Sequence, residues 1–147
     1  LQGPRREVMH RLKNSWWFCH EAFGSNAKLA YANAYDLPDG IGRFDVAVMA
    51  AVLLHTRAPL QIVEQCARRA DTLVITDVHF ADLEGSACCR LEPTAENGHW
   101  DTWWQFSTKF FTQFLEVMGF QATVTTHSQM LSGNPVPFFT IVARRRP

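Results

Sequence analysis

Two polar side chains in one short segment could carry out proton transfer and anion binding. His55 and Arg57 lie two residues apart. Histidine changes charge near neutral pH and can accept a proton from a hydroxyl or an amine. Arginine presents a planar fork that binds carboxylates and phosphates. The alternative for His55 is a hydrogen-bonded loop or helix-capping residue, and the alternative for Arg57 is a solvated surface charge.

Aromatic side chains form a second group that could contact a ligand. Trp100, Trp103 and Trp104 lie in a segment, 79–106, that has no clear helix or strand pattern. Aromatic rings can stack on a planar substrate or close over a cation. Alternatively, they anchor a long loop to the sheet below it. We expect 79–106 to form a lid, with Trp104 facing the pocket.

The elements that must position these residues form a strand–helix–strand unit. Phe44–Met49 is almost continuously apolar, as is typical of a strand covered on both faces in a parallel sheet. Pro59 suits the first turn of a helix, and 72–76 forms the next buried strand. Ligands of such sheets bind at the carboxyl ends of the strands, where Ala50 and Ala51 offer backbone carbonyls and leave room. Close packing of strand against helix explains two alanines equally well.

The remaining pattern extends this unit to one α/β domain over residues 1–147. In chain order it predicts one helix over 4–23, or two that meet near Asn14–Ser15, ended by Gly24, and then a strand over Lys28–Asn33. It further predicts a helix over 108–118 capped by Ser107, and strands over Phe120–Thr126 and Phe138–Ala143 joined by a loop that holds Gly133 and Pro137. The last strand is expected to return antiparallel.

Composition excludes several classes of protein. The chain has 147 residues with 14 Lys+Arg against 14 Asp+Glu, and zero net charge argues against binding of bulk nucleic acid. The longest uncharged apolar run, Val46–Leu54, is less than half of a membrane span, so no membrane contact is expected. The four cysteines show no paired metal spacing, which predicts reduced thiols, no metal and a cytoplasmic protein.

Three motifs in order resemble the class I S-adenosylmethionine-dependent methyltransferases. Gly42–Pro59 is similar to that family's "G-x-F-D-V-V, small residues, V-L-x-H, then D-P or S-P" segment, which is its fourth strand and the following loop. Ala34–Pro38 resembles its "D-A-x-x-L-P" segment, and Trp103–Phe120 its late "W-x-x-S-P … M-L-x-x-G-F" helix. The "V-L-x-H-x-R-x-P" pattern is shared with bacterial tRNA wobble-uridine methyl- and carboxymethyl-transferases. The resemblance covers residues 16–144.

The resemblance implies the C-terminal part of a Rossmann-like sheet, mostly parallel with an antiparallel last strand, and S-adenosylmethionine as cofactor. Asn33 stands where the family has an Asp that accepts from the adenine amino group; alternatively it only turns the chain. Leu54 stands where the carboxymethyl-transferring relatives have Tyr, which favours a plain methyl donor. The implied site comprises a catalytic residue, His55; cofactor-binding residues Asn33, Ala34, Ala50, Ala51 and Leu54; and substrate-binding residues Arg57 and Trp104.

One departure from the family shapes the functional expectation. The glycine-rich turn after the family's first strand and the acidic residue that ends its second strand are absent. We therefore expect an N-terminally incomplete domain whose inner sheet edge is completed by a missing N-terminal segment or by a second copy. The predicted function is methyl transfer to a small-molecule or nucleoside-like acceptor. The alternative is a non-catalytic methyltransferase remnant that acts as an oligomerising or partner-binding module.

Overall fold

A computed structural model describes residues 4–98 and 101–147, so Trp100 lies outside the described residues. The chain divides into two compact units, residues 1–31 and 32–147. The helices and strands in chain order are α1 (Pro4–Ala22), β1 (Phe44–Ala50), α2 (Pro59–Ala67), β2 (Ala70–Val78), β3 (Cys89–Leu91), β4 (Trp104–Phe106), α3 (Thr108–Val117), β5 (Phe120–Leu131) and β6 (Asn134–Arg145).

The first unit consists of α1 and the irregular chain that follows it. The predicted helix over 4–23 is confirmed, and Gly24 ends it with a φ of +55°. The Ser25 amide then donates to the His20 carbonyl at 3.0 Å, the bond expected at a glycine-terminated helix end. Over the described residues, no helix combines the length and the apolar character needed to cross a membrane.

The second unit is built on a four-stranded sheet with the order β1-β2-β6-β5. β1 and β2 are parallel and α2 connects them, while β6 runs antiparallel to both β2 and β5. This is the predicted mixed α/β sheet with an antiparallel last strand, so the fold class is confirmed. β3 and β4 form a separate two-stranded antiparallel sheet.

The predicted start of α3 is confirmed by its capping bonds. The Ser107 hydroxyl oxygen accepts from the Phe110 amide at 3.2 Å. The Glu84 carboxylate accepts from the Thr108 amide at 2.9 Å, which places a negative charge at the positive end of the helix dipole. At the other end, Gly119 follows with a φ of +83°.

Three secondary-structure predictions were wrong. Lys28–Asn33 forms no strand; only a single bridge joins Asn33 to Asp36. The 79–106 segment is not wholly irregular, because it contains the β3–β4 hairpin. The predicted loop with Gly133 and Pro137 is mostly strand: β2 ends opposite Phe138, so beyond that point β6 has β5 as a neighbour on one side and tolerates proline.

The core lies between one face of this sheet and helices α2 and α3. Its largest fully buried side chains are Phe106, Phe111, Phe120, Phe139, Leu53, Leu73, Ile75, Leu115 and Ile141. β1 was expected to be covered on both faces, and this was wrong within the second unit. It is an edge strand, and its alternate residues Val46 and Val48 are 48% and 65% exposed because they point away from α2 and α3.

Candidate functional site

The carboxyl end of β1 opens at two small residues. Ala50 and Ala51 are both exposed. The Ala51 amide donates to the Thr76 carbonyl of β2 at 2.8 Å, and Ala51 has a φ of +48°. A positive φ is uncommon for a residue with a Cβ, and such strain is concentrated at functional sites. The backbone therefore leaves the sheet through a turn that holds Ala51 in a strained conformation.

We expect Ala51→Gly to raise the free energy of unfolding by about 0.5–1 kcal/mol, because glycine reaches this backbone conformation without a Cβ clash. Urea denaturation of the two proteins measures the difference. Ala47→Gly, within β1, is the control, and it is expected to lower stability instead because its backbone is ordinary strand. A loss of stability in Ala51→Gly would contradict the assignment of strain to this residue.

His55 lies just beyond this turn with one ring nitrogen already bonded. Its Nδ1 is 2.6 Å from the carbonyl oxygen of Asp101. Because a carbonyl oxygen only accepts, Nδ1 carries the hydrogen and donates it. In the neutral ring the lone pair is then on Nε2, and the His55 side chain is exposed. This arrangement suits acceptance of a proton from a bound substrate.

The 101–104 segment is fastened to the loop that carries His55. The Trp103 amide donates to the Leu54 carbonyl at 2.7 Å, and the Trp104 indole Nε1 donates to the Thr56 carbonyl at 2.8 Å. The Arg57 guanidinium lies 4.9 Å from the centre of the Trp103 ring, within the range of a cation–π contact. Trp104 therefore anchors the loop through its polar atom, and its predicted role toward substrate stays a prediction.

The predicted adenine-side residues belong to a turn beside Arg57. The Asn33 side-chain oxygen accepts from the Tyr35 amide at 3.1 Å, which is the chain-turning alternative, and its amide nitrogen remains as a donor on an exposed residue. The Tyr35 hydroxyl accepts from the Arg57 amide at 2.9 Å. Ala34, between them, is exposed. The sequence motif contained Tyr35, but nothing in the pattern indicated its partner.

Asp77 is a buried acid that the sequence analysis left out of the site. It is the penultimate residue of β2, is 2% exposed, and accepts from the Val78 amide at 2.8 Å. Burial raises the pKa of its carboxyl to about 6, against the opposing effects of the Val78 amide, the charge of His55 and the Leu54 amide. The sequence feature that could have identified Asp77 is an acidic residue near the carboxyl end of a predicted strand. Its burial depends on tertiary structure.

The predicted site residues thus fall in one part of the second unit. The 33–36 turn contacts the 57–61 segment, the 54–57 loop contacts 101–104, and Ala51 is bonded to β2. These contacts bring together the segments of Asn33, Ala50, Leu54, Arg57 and Trp104. Within the described part of the chain, no group of three or more His, Cys, Asp or Glu residues is arranged to hold a metal ion.

Comparison with solved structures places this fold among methyltransferases. The N-terminal domain of EvdMO1, solved with S-adenosylhomocysteine bound, is 24% identical with a TM-score of 0.63 over 88% of this chain and 58% of that one. A S-adenosylmethionine-dependent methyltransferase from Methanosarcina mazei is 18% identical with a TM-score of 0.59 over 82% of this chain and 68% of that one.

A third similar structure is an N1-methyltransferase of Burkholderia thailandensis, solved with 1,6-didemethyltoxoflavin and S-adenosylhomocysteine. It is 15% identical with a TM-score of 0.62 over 90% of this chain and 56% of that one. No protein-family model and no curated protein sequence matches the chain. The fold is therefore that of class I methyltransferases, and the chain spans about three fifths of the EvdMO1 domain.

Proposed function

We propose that this chain belongs to an S-adenosylmethionine-dependent enzyme that methylates a small-molecule or nucleoside-like acceptor, with His55 as the proton acceptor. The observation that carries the proposal is the edge at the carboxyl ends of β1 and β2. There an open turn at Ala50–Ala51 is followed within four residues by a histidine whose tautomer is fixed. Three similar folds that are methyltransferases, or were solved with the cofactor product, support the same chemistry.

The residues present fit the cofactor on the side that this chain supplies. Exposed Ala50 and Ala51 leave room beside the backbone, and the free amide nitrogen of Asn33 can donate to a ring nitrogen of adenine. Ala34 and Leu54 complete the set that would hold it. This is also the place where ligands bind in open α/β sheets. The glycine-rich part of such a site is absent from this sequence.

When bound, S-adenosylmethionine supplies a methyl group activated by its sulfonium. The chain contributes positioning, which is the main requirement of an in-line displacement. His55 Nε2 would accept the proton that the acceptor's O–H or N–H group gives up on methylation, and the bound cofactor would supply the methyl group. Arg57 fits an acidic or phosphorylated acceptor. The nucleoside-like acceptor of the tRNA-modifying branch remains one candidate within this proposal.

Binding of S-adenosylhomocysteine tests the proposal. At a ligand concentration one hundred times the dissociation constant, we expect a gain of about 2.7 kcal/mol in the free energy of unfolding. Thermal denaturation of each oligomeric fraction measures it. Ala50→Leu, which fills the open end of β1 at an exposed position, is expected to abolish the gain, and Val117→Ala, on the exposed side of α3, to keep it.

One observation favours a second candidate function. β1 is an open sheet edge, and Val46 and Val48 beside it are 48% and 65% exposed in the second unit. Such an edge is a template for pairing with another strand. A non-catalytic remnant would use it to bind a second copy or a partner, and an enzyme would have it completed by further N-terminal chain. Absence of any S-adenosylhomocysteine effect in every fraction would leave this second function.

A further inference from the structure

Three arginines surround an open cavity at the edge of the sheet opposite the candidate site. Arg43 immediately precedes β1 and Asp71 is the second residue of β2, so the cavity lies at the amino ends of these two parallel strands. Ala50 lies at the other end of β1, roughly 20 Å away along the strand. The cavity has a volume of about 460 Å³, and the residues that line it are Arg43, Ala67, Arg68, Asp71, Met118 and Arg145.

Two of these guanidinium groups converge on a single oxygen atom. Asp71 Oδ1 accepts from Arg43 Nη2 at 3.0 Å and from Arg145 Nε at 3.1 Å. Backbone carbonyls hold the same two side chains, since Arg145 Nη2 donates to the carbonyl of Ala70 at 3.2 Å. Arg43 Nη1 donates to the carbonyl of Arg68 at 3.2 Å. Both guanidinium groups are therefore held in place around one position that an anionic oxygen occupies.

The cavity keeps positive charge that these contacts do not use. Asp71 is the one acidic residue among those that line it, against three arginines. Among the contacts of the described residues, none involves the guanidinium of Arg68 or the Nη1 of Arg145. Bonds to backbone carbonyls explain the placement of Arg43 and Arg145, but they give Arg68 no role. Free N–H groups in a rigid fork are the donors that bind phosphate oxygens bidentately.

We propose that this cavity is a binding site for a phosphate-bearing anion. Arg43 and Arg145 form its preorganised part, and Arg68 supplies a further free donor. The Asp71 side chain, which is 61% exposed, holds the two fixed guanidinium groups in the ligand-free protein and competes with the ligand for the same N–H groups. Met118 offers an apolar contact, which suits the phosphate of an organic molecule as well as a free inorganic phosphate. The proposal does not depend on methyl transfer, because the site lies at the opposite edge of the sheet.

Calorimetric titration at low ionic strength tests the proposal with two probes, inorganic diphosphate and phenyl phosphate, because exposed charges are least screened there. We expect saturable binding of at least one probe. Arg68→Gln is expected to weaken that binding about fivefold, the upper range for an exposed charge pair. Asp71→Asn is expected to tighten it about threefold, because asparagine keeps an oxygen for the two arginines without the competing negative charge. A merely structural role of Asp71 would instead predict weaker binding.

Arg90→Gln is the matched control. Arg90 is an exposed arginine of the same unit that pairs with Asp82 at 2.7 Å, away from the cavity, so its replacement should leave the affinity unchanged. The proposal would be overturned by no saturable binding of either probe, by an affinity of Arg68→Gln no lower than that of the control, or by weaker binding in Asp71→Asn. Tighter binding of diphosphate would assign the site to free inorganic phosphates, and tighter binding of phenyl phosphate to an organic phosphate that contacts Met118.

Discussion

At pH 8, the free energy of unfolding of the Asp77→Asn variant is expected to be about 3 kcal/mol higher than that of the parent chain, so the variant is the more stable protein. Burial raises the pKa of Asp77 from 3.8 to about 6, so the folded state binds the carboxyl proton more tightly than the unfolded state does. Each pKa unit corresponds to about 1.36 kcal/mol, which gives this figure for a shift of about two units. Asparagine is neutral at every pH and is close to aspartate in shape.

The sign of the pH dependence follows from the same shift. Between pH 3.8 and about 6 the folded protein retains a proton that the unfolded chain has lost, so the Asp77 contribution to stability falls as the pH rises through this window. Below pH 3.8 the contribution is fully present, and above about 6 it is lost. The advantage of Asp77→Asn should therefore grow from near zero at pH 4 to its full size by pH 7–8.

Urea denaturation at pH 4, 6 and 8 measures this difference. Asp45→Asn, which removes an exposed carboxylate from β1, is the control and should show no comparable gain at pH 8. An equal gain in the free energy of unfolding at all three pH values would show that the gain does not come from titration of Asp77. A gain confined to high pH would mean that the chain keeps a carboxylate that destabilises the folded state, as expected where stability is exchanged for activity.

Replacement of Phe111 by alanine is expected to lower the free energy of unfolding by about 3–5 kcal/mol, the usual cost of removing a fully buried aromatic ring. Phe111, on α3, is fully buried. Its ring lies 4.7 Å from that of Phe106 on β4 and 6.3 Å from that of Phe139 on β6, measured between centroids. The variant therefore loses contacts that join the hairpin strand, the helix and the sheet.

The unfolding midpoint in urea, compared with that of Val117→Ala, isolates the effect of burial. Val117 lies on the same helix and is 86% exposed, so its truncation should change stability by no more than about 0.5 kcal/mol. Similar losses in the two variants would contradict the placement of the core on this face of α3. Because β4 follows Trp103, we also expect hydrogen exchange at the Trp103 amide to become faster in Phe111→Ala.

The sequence alone determined the elements whose patterns are local. The 4–23 helix, the Ser107 cap and the parallel pair around Pro59 were predicted correctly, because periodicity, capping residues and continuous apolar runs act over a few residues. The same locality explains the false strand at Lys28–Asn33. Its residues suit a strand, but no neighbouring strand pairs with them.

The site was predicted in part for the same reason. Ala50–Ala51, His55 and Arg57 could be identified because strand ends and the following loop are contiguous in sequence. Their fixed geometry could not be identified, since it depends on partners that are far away in the chain. The Asp101 carbonyl, which fixes the His55 ring, is 46 positions away in the sequence. The Thr56 carbonyl, which accepts from the Trp104 indole, is 48 positions from that residue.

Only the tertiary structure decided the electrostatics of the site. Asp77 acquires its raised pKa when folding buries its carboxyl near the end of β2. The pKa of a carboxyl depends on its burial and on the charges near it in space, and the spacing of residues along the sequence does not predict either. Residue types and order thus set the available chemistry, while folding decided which of these groups are buried and which are hydrogen-bonded.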